Sequence, residues 1–279
     1  MSAGTPQPIE LKGLSYSVDG NTVLDDINLT VAPREIVAIM GRSGTGKTTL
    51  LRLIIGLIKP TEGSIHVNGT DITELDEDGL DRIRIKMGMV FQEGALFDSM
   101  TVHDNVAFAL VEHRLAPQAE IAERVRQLLD LVEMAGTENL LPSQLSGGMR
   151  KRVGIARALA SQPEIILYDE PTAGLDPISA AAIDALVVRL RDHVGVASVI
   201  VSHDVTSLRR VADRAALLHH GRFLGVGSIA ELDHSPDPAI QQFLSGDPQG
   251  PLTEPHGSPT GPAVLGPSGA GSRPPNRGG

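Results

Sequence analysis

The sequence predicts an α/β fold, a largely parallel sheet flanked by helices with a mainly helical segment inserted into it. Three observations carry this reading. Short β-branched apolar runs alternate with amphipathic stretches through most of the 279 residues. One run, Ile36-Val-Ala-Ile-Met40, leads through a glycine-rich loop into a helical segment. The stretch from about 93 to 162 is mainly helical in its spacing.

Taken in order, Ile36–Met40 is continuously apolar and has the length of a buried strand. Lys47 to about Ile55 forms the helix behind it, and Met87 to Phe91 the next strand. Between Ile121 and Glu133, helical spacing puts Ile121, Val125, Leu128, Leu129 and Val132 on one face. Ser146 is a good N-cap for a helix running to about Ala160. Pro163 turns the chain into a strand at Ile165–Asp169. A helix over roughly Ser179–His193 then leads to the strand Ala197–Ser202. No internal repeat and no long heptad seam is present.

Composition narrows the function classes. Hydrophobic residues make up 41%, ample for a sizeable core, and the formal net charge is −10. An acidic balance argues against non-specific nucleic-acid binding, which needs Lys and Arg on phosphates. The absence of cysteine excludes disulfides and thiolate metal sites. The N-terminal segment lacks the basic and apolar regions of a signal peptide. No run approaches the ~18 apolar residues of a membrane span. The chain is therefore expected to be soluble and to serve any membrane process through a partner. From Gly246 onward about half the residues are Gly or Pro. That stretch, 246–279, is expected to be a disordered tail, or an arm that orders on a partner such as a second copy.

Gly41-Arg-Ser-Gly-Thr-Gly-Lys47-Thr48 is a phosphate-binding loop between predicted strand and helix. Glycines let successive backbone N–H groups point at phosphate oxygens, and the helix start adds its positive dipole end. Gly41, Arg42, Ser43, Gly44, Thr45, Gly46, Lys47, Thr48 and the adjoining Thr49 are thus assigned to a nucleotide. Lys47 supplies charge to the β- and γ-phosphates, and Thr48 a hydroxyl ligand for Mg²⁺. The loop alone fits a kinase, a GTPase or a DNA-repair ATPase equally well.

Two further segments decide among these. Leu145-Ser-Gly-Gly-Met149 opens a helix and makes a second anion site. About twenty residues later, Ile165-Ile-Leu-Tyr-Asp169-Glu170 is an apolar strand ending in two carboxylates. Asp169 is expected to hold Mg²⁺ and Glu170 to act as general base. Together these segments resemble the ATPase subunits of ABC transporters, over about residues 8 to 245. The resemblance implies an ABC ATPase core, with a mainly parallel sheet, an antiparallel β part and a helical subdomain at about 93–162. It implies that Tyr16 stacks on adenine and that Gln92 senses Mg²⁺ and the γ-phosphate. It further implies that Asp176, in Gly174-Leu-Asp176, lies in a loop crossing a dimer interface, and that His203 contacts the γ-phosphate. Ser146, Gly147 and Gly148 of one copy then close over ATP bound to another. Met149 departs from the family pattern, which has glutamine there.

Leu145-Ser-Gly-Gly-Met-Arg-Lys-Arg152, Phe91-Gln-Glu-Gly-Ala-Leu-Phe97 and Asp169-Glu-Pro-Thr-Ala-Gly-Leu-Asp-Pro177 are similar to the ATPases of Mla/Mce lipid-transport systems. So is Ser235-Pro-Asp-Pro-Ala-Ile-Gln-Gln-Phe-Leu-Ser-Gly246. This implies ATP and Mg²⁺ as cofactors and phospholipid transport between inner and outer membranes. The implied partners are a second copy, integral-membrane permease subunits and an Mce-type lipid-binding subunit, with no nucleic acid. The implied location is the cytoplasmic face of the inner membrane. An importer of amino acids or other small solutes is the alternative, then a soluble ABC ATPase acting on nucleic acid. Ala95-Leu96-Phe97 reads either as an apolar surface for a membrane-subunit helix or as ordinary packing. His219-His220 reads as a turn, Glu74, Asp76, Glu77, Asp78 and Asp81 as a solvated face, and Tyr168 as core.

Overall fold

The computed structural model describes residues 6–253. Among the described residues, ten strands form two sheets. β1 (Ile9–Val18), β2 (Asn21–Val31), β4 (Glu62–Val67) and β5 (Thr70–Asp71) make an antiparallel sheet in the order β2-β1-β4-β5. The second sheet contains β3 (Ile36–Met40), β6 (Met87–Val90), β7 (Ile165–Asp169), β8 (Ala197–Ser202), β9 (Arg214–His219) and β10 (Arg222–Gly227). Its order is β10-β9-β3-β8-β7-β6, parallel except for the antiparallel β10 hairpin. Left-handed backbone at His220 (φ 45°) and Gly221 (φ 76°) makes that hairpin's turn.

Period-2 alternation explains why the parallel strands are apolar on both faces. Val37 and Ile39 of β3 point into a core shared with the antiparallel sheet and with α1 (Lys47–Ile54). Ile36, Ala38 and Met40 point the other way, towards the helices. Ile165 and Leu167 of β7 likewise oppose Ile166 and Tyr168, and Tyr168 is fully buried. Every one of these side chains is withdrawn from water, so Ile39→Ala would cost about 2–5 kcal/mol of stability.

α2 (Glu77–Arg84) precedes β6. The chain then runs through α3 (Val102–Glu112), α4 (Gln118–Leu131), a 3-10 turn at Pro142–Gln144 and α5 (Gly147–Leu159) before β7. These helices share one apolar core with the parallel sheet: Val106, Leu110, Val125, Leu129 and Val153 belong to the same cluster as Ile166. α5 lies directly on β6. A Cβ at Gly88 would sit 2.6 Å from the Ala158 carbonyl oxygen, so only glycine allows this approach. α6 (Pro177–His193), α7 (Val205–Val211), α8 (Ile229–Asp233) and α9 (Pro238–Ser245) complete the chain.

The strands β7 and β8 have the predicted bounds, and two helices begin earlier than predicted. α4 starts at Gln118, after Pro117, and the apolar spacing that marks it in the sequence begins only at Ile121. α6 starts at Pro177, a residue suited to a first helical turn, behind the Asp176 cap. Asp76 caps α2, and Glu77 and Asp81 pair with Arg84 at 2.8 and 3.0 Å, a solvated arrangement.

After Gly246 the chain folds back on α9, which differs from a tail with nothing to bury. Leu252 is buried, its N–H donating to Gln242 Oε1 at 2.7 Å. Its carbonyl accepts from Arg42 Nη1 at 2.5 Å. The rest of the expected tail, 254–279, lies outside the described residues. Among the described residues no helix is long and apolar enough to cross a membrane.

Candidate active site

The predicted phosphate loop, Gln92, the carboxylate pair and His203 each follow the C-terminal end of a parallel strand: β3, β6, β7 and β8. These four strands are neighbours in the order β3-β8-β7-β6, so the segments meet along one sheet edge. This edge is where open α/β sheets bind ligands.

Residues 41–46 connect β3 to α1. Gly46 sits at the α1 N-cap with φ 101°, and a Cβ there would come within 3.1 Å of Leu24 Cδ2. No side chain caps α1, so its first N–H groups face the loop's concavity. Lys47 is buried, and its Nζ donates to the carbonyls of Gly41 (2.8 Å) and Arg42 (3.0 Å). It also lies 3.7 Å from Glu170 Oε1. Burial lowers the Lys47 pKa, opposed by the charges of Glu170 and Asp169. Thr48 Oγ1 donates to Asp169 Oδ1 at 3.2 Å. Burial raises the Asp169 pKa, with the Thr48 hydrogen bond opposing it.

Glu170 has left-handed backbone (φ 47°), which is uncommon for a residue with a side chain. Its N–H donates to Val201 O at 2.9 Å, tying the end of β7 to β8. Ser202 Oγ donates to Glu170 Oε2 at 3.1 Å, and His203 Nδ1 lies 3.0 Å from Oε1. A carboxylate held in this way, in strained backbone, at a strand end, is equipped to accept a proton from a bound water. A cleft of about 280 Å³ is lined by Val23, Ser43, Gly44, Gly46, Lys47, Thr48, Thr49, Gln92 and Glu170. Tyr16, on β1, is half-buried against the core shared by the antiparallel sheet and α1, and is not part of this lining.

The Ser146–Gly148 segment lies elsewhere. Ser146 caps α5, its Oγ accepting from the Met149 N–H at 3.3 Å. An oxygen that accepts in this way still has its O–H to donate. The departure at Met149 is harmless to this geometry, because the cap uses that residue's backbone and its side chain packs on the core that the helices share with the parallel sheet. Gly147 lines a second cleft, about 550 Å³, with Gln92, Leu96, Lys151, Gly174 and Leu175. Gln92 lines both clefts. The Asp176 carboxylate caps α6, accepting from the N–H groups of Ile178 and Ser179 and from Ser179 Oγ. The Ser179 hydrogen bonds hold its pKa below the usual range. A larger apolar groove, about 680 Å³, opens near Arg34, Pro163 and Val196 at the other ends of the strands and contains none of these residues.

Two residues of the site were not singled out by the sequence. Ser202 orients Glu170, and its only signal was a serine closing a strand before His203. Lys151, buried on α5, donates to the backbone carbonyls of Gln92 and Glu170. In the sequence it appears only within the Leu145–Arg152 string.

Residues 24–173 match the ABC transporter family. The chain is 41% identical over 244 residues to the intermembrane phospholipid transport system ATP-binding protein MlaF of Escherichia coli (strain K12), covering 88% of this chain and 91% of that protein. It is also 41% identical over 244 residues to the probable ribonucleotide transport ATP-binding protein mkl of Mycobacterium leprae (strain TN), covering 88% and 70%. Among solved structures, cbiO1 from Clostridium perfringens, part of the ABC transporter complex cbiONQ, superposes with a TM-score of 0.77 at 30% identity, covering 82% of this chain and 92% of cbiO1. The ATP-binding cassette MJ0796, a dimer in a post-hydrolysis state bound to ADP and Pi, gives 0.73 at 35%, covering 79% and 98%. With the phosphate loop, carboxylate pair and histidine gathered on one sheet edge, the chain belongs to the ABC transporter family as an ATP-binding, ATP-hydrolysing subunit.

Proposed function

We propose that two copies of this chain enclose ATP between them and that its hydrolysis drives phospholipid movement between the inner and outer membranes of a double-membraned bacterium. The observation that carries the two-copy site is the separation of the Ser146–Gly148 segment from the cleft of its own phosphate loop. One copy supplies residues 41–49, Gln92, Asp169, Glu170 and His203. The second copy supplies Ser146, Gly147 and Gly148, with the Asp176 loop at the interface between them. Tyr16 carries the adenine. The helical stretch 93–162 is a subdomain within the 8–245 core that swings the Ser146–Gly148 segment towards the other copy.

Glu170 takes a proton from water as the water oxygen bonds to the γ-phosphorus. The bond to the β–γ bridging oxygen breaks, leaving ADP and phosphate. Lys47 and the loop N–H groups hold the phosphates throughout. His203 uses Nδ1 on Glu170, which leaves Nε2 for the γ-phosphate. Thr48 and Asp169 place two hard oxygens 3.2 Å apart, a donor set that suits Mg²⁺, and Gln92 adds a third. When bound there, Mg²⁺ neutralises charge on the β- and γ-phosphates.

The chain works at the cytoplasmic face of the inner membrane against integral permease subunits, with an Mce-type lipid-binding subunit in the complex. Phe97 and Phe108 are exposed with ring centroids 4.9 Å apart, and Phe97 adjoins Leu96 and Asp98, which line the second cleft. This apolar surface receives a helix of the permease and carries the nucleotide state to it. The phospholipid cargo rests on the MlaF relative, which this chain matches over nearly its whole length. Purifying the complex from native membranes through a tag on this chain tests the reading. A permease, an Mce-type subunit and bound phospholipid are expected. A solute-binding protein, a nucleotide cargo or no membrane protein would overturn the cargo and leave the ATPase chemistry standing.

A further inference from the structure

Lys151 is 5% exposed, yet it has no part in the hydrolysis described above. It lies near the start of α5, one turn past the Ser146–Gly148 segment. Its ammonium donates to the main-chain carbonyl of Gln92 and, at 3.2 Å, to that of Glu170. Burying a lysine is costly unless such partners are present, so these two contacts fix where the side chain sits. They are an unusual pair. Gln92 and Glu170 follow two different strands, β6 and β7, and both line the cleft of this chain's own phosphate loop.

Glu170 is thereby gripped at both ends of its backbone. Its N–H is held by Val201 O and its carbonyl by Lys151, across a residue in the left-handed region. Backbone of this kind persists only where its surroundings over-determine it. In the two-copy reading, on which this inference rests, the start of α5 seats on ATP held by the other copy. The same helix carries Lys151, whose ammonium binds both carbonyls in its own site.

We propose that Lys151 is a positioning residue that couples the two ATP sites. Seating of α5 on the second copy's nucleotide is transmitted by Lys151 to Gln92 and Glu170, setting the sensor and the general base of its own site. The group acts by donating hydrogen bonds to main-chain oxygens, so arginine replaces it in part and methionine does not.

The test uses the full-length chain with MgATP. Lys151→Met should lower kcat about tenfold or more and leave KM within about twofold. The Hill coefficient for ATP should fall towards one, and Lys151→Arg should recover much of the rate and the cooperativity. A Lys151→Met rate and Hill coefficient equal to those of the unmodified chain would overturn the proposal. So would parallel losses of ATP binding and Tm, which mark a merely structural lysine, or a Lys151→Arg variant as impaired as the methionine one. Glu170→Gln with ATP serves as the separate control. If that variant stays monomeric, the two-copy reading itself fails; if it dimerises, the outcome reports on Lys151 alone.

Discussion

At the ends of β3, β7 and β8 the polar side chains face one another, whereas Ser146, the cap of α5, is exposed. Lys47, Asp169 and Glu170 are all buried, and their partners are each other, the loop carbonyls, Thr48, Ser202 and His203. Ser146 is exposed, with its hydroxyl oxygen engaged only in capping its own helix. Both regions open a helix, at α1 and at α5. They differ in dielectric surroundings. Burial shifts the charges of the first region, lowering Lys47 and raising Asp169, and strengthens every interaction made there. The second region gains that strength only when another surface covers it. One chain therefore carries a nearly finished half of a site and an unfinished half of another.

The most damaging way to probe the first region is Glu170→Gln. Hydrolysis should fall by about 10²–10⁴ while ATP binding survives, as measured by phosphate release and equilibrium binding. A rate near normal would remove Glu170 as the base. The division between regions is tested next by mixing two inactive chains, Lys47→Ala and Ser146→Arg. Mixed dimers contain one site with an intact phosphate loop and an intact Ser146–Gly148 segment, so hydrolysis should rise above that of either variant alone. No recovery would mean that each chain completes its own site.

Smaller changes sharpen the contrast. Ser202→Ala removes one donor to the Glu170 carboxylate and should slow hydrolysis about tenfold, the worth of one hydrogen bond to a charged group. Asp169→Asn should abolish hydrolysis but raise the nucleotide-free Tm. The sign follows from burial. A carboxyl whose folded pKa is raised favours the fold while protonated, and loses that contribution as pH rises from the ordinary aspartate value through the raised one. The Tm advantage of asparagine should therefore shrink as pH falls through that window, and a constant difference would contradict it. Met149→Gln should change the ATPase rate less than about twofold, since the α5 cap uses only the Met149 N–H.

The sheet was legible because strands buried on both faces must be continuously apolar. Ile165–Asp169 and Ala197–Ser202 end where their apolar runs end. Helix starts were less legible: the apolar spacing of α4 begins only at Ile121, and α6 begins at a proline that propensity alone would leave in the loop. The phosphate loop, Asp169 and Glu170 could be read because glycine, lysine and paired acids at fixed spacing have few other uses. Ser202 and Lys151 could not, because an isolated serine or lysine has many uses and nothing in sequence spacing marks the partner.

By itself, then, the sequence determined the chemistry this protein can perform, since that depends on residue types at short range around the phosphate loop and the acidic strand end. Only the tertiary structure decided how the parts are connected. It set β3, β8, β7 and β6 side by side and left Ser146 outside the cleft of its own phosphate loop. It also spent a buried lysine on two carbonyls separated by 78 positions, 170 − 92, along the chain. Hydrogen bonds to backbone oxygens depend on where the chain passes and not on which residue passes there, so no pattern of side chains records them.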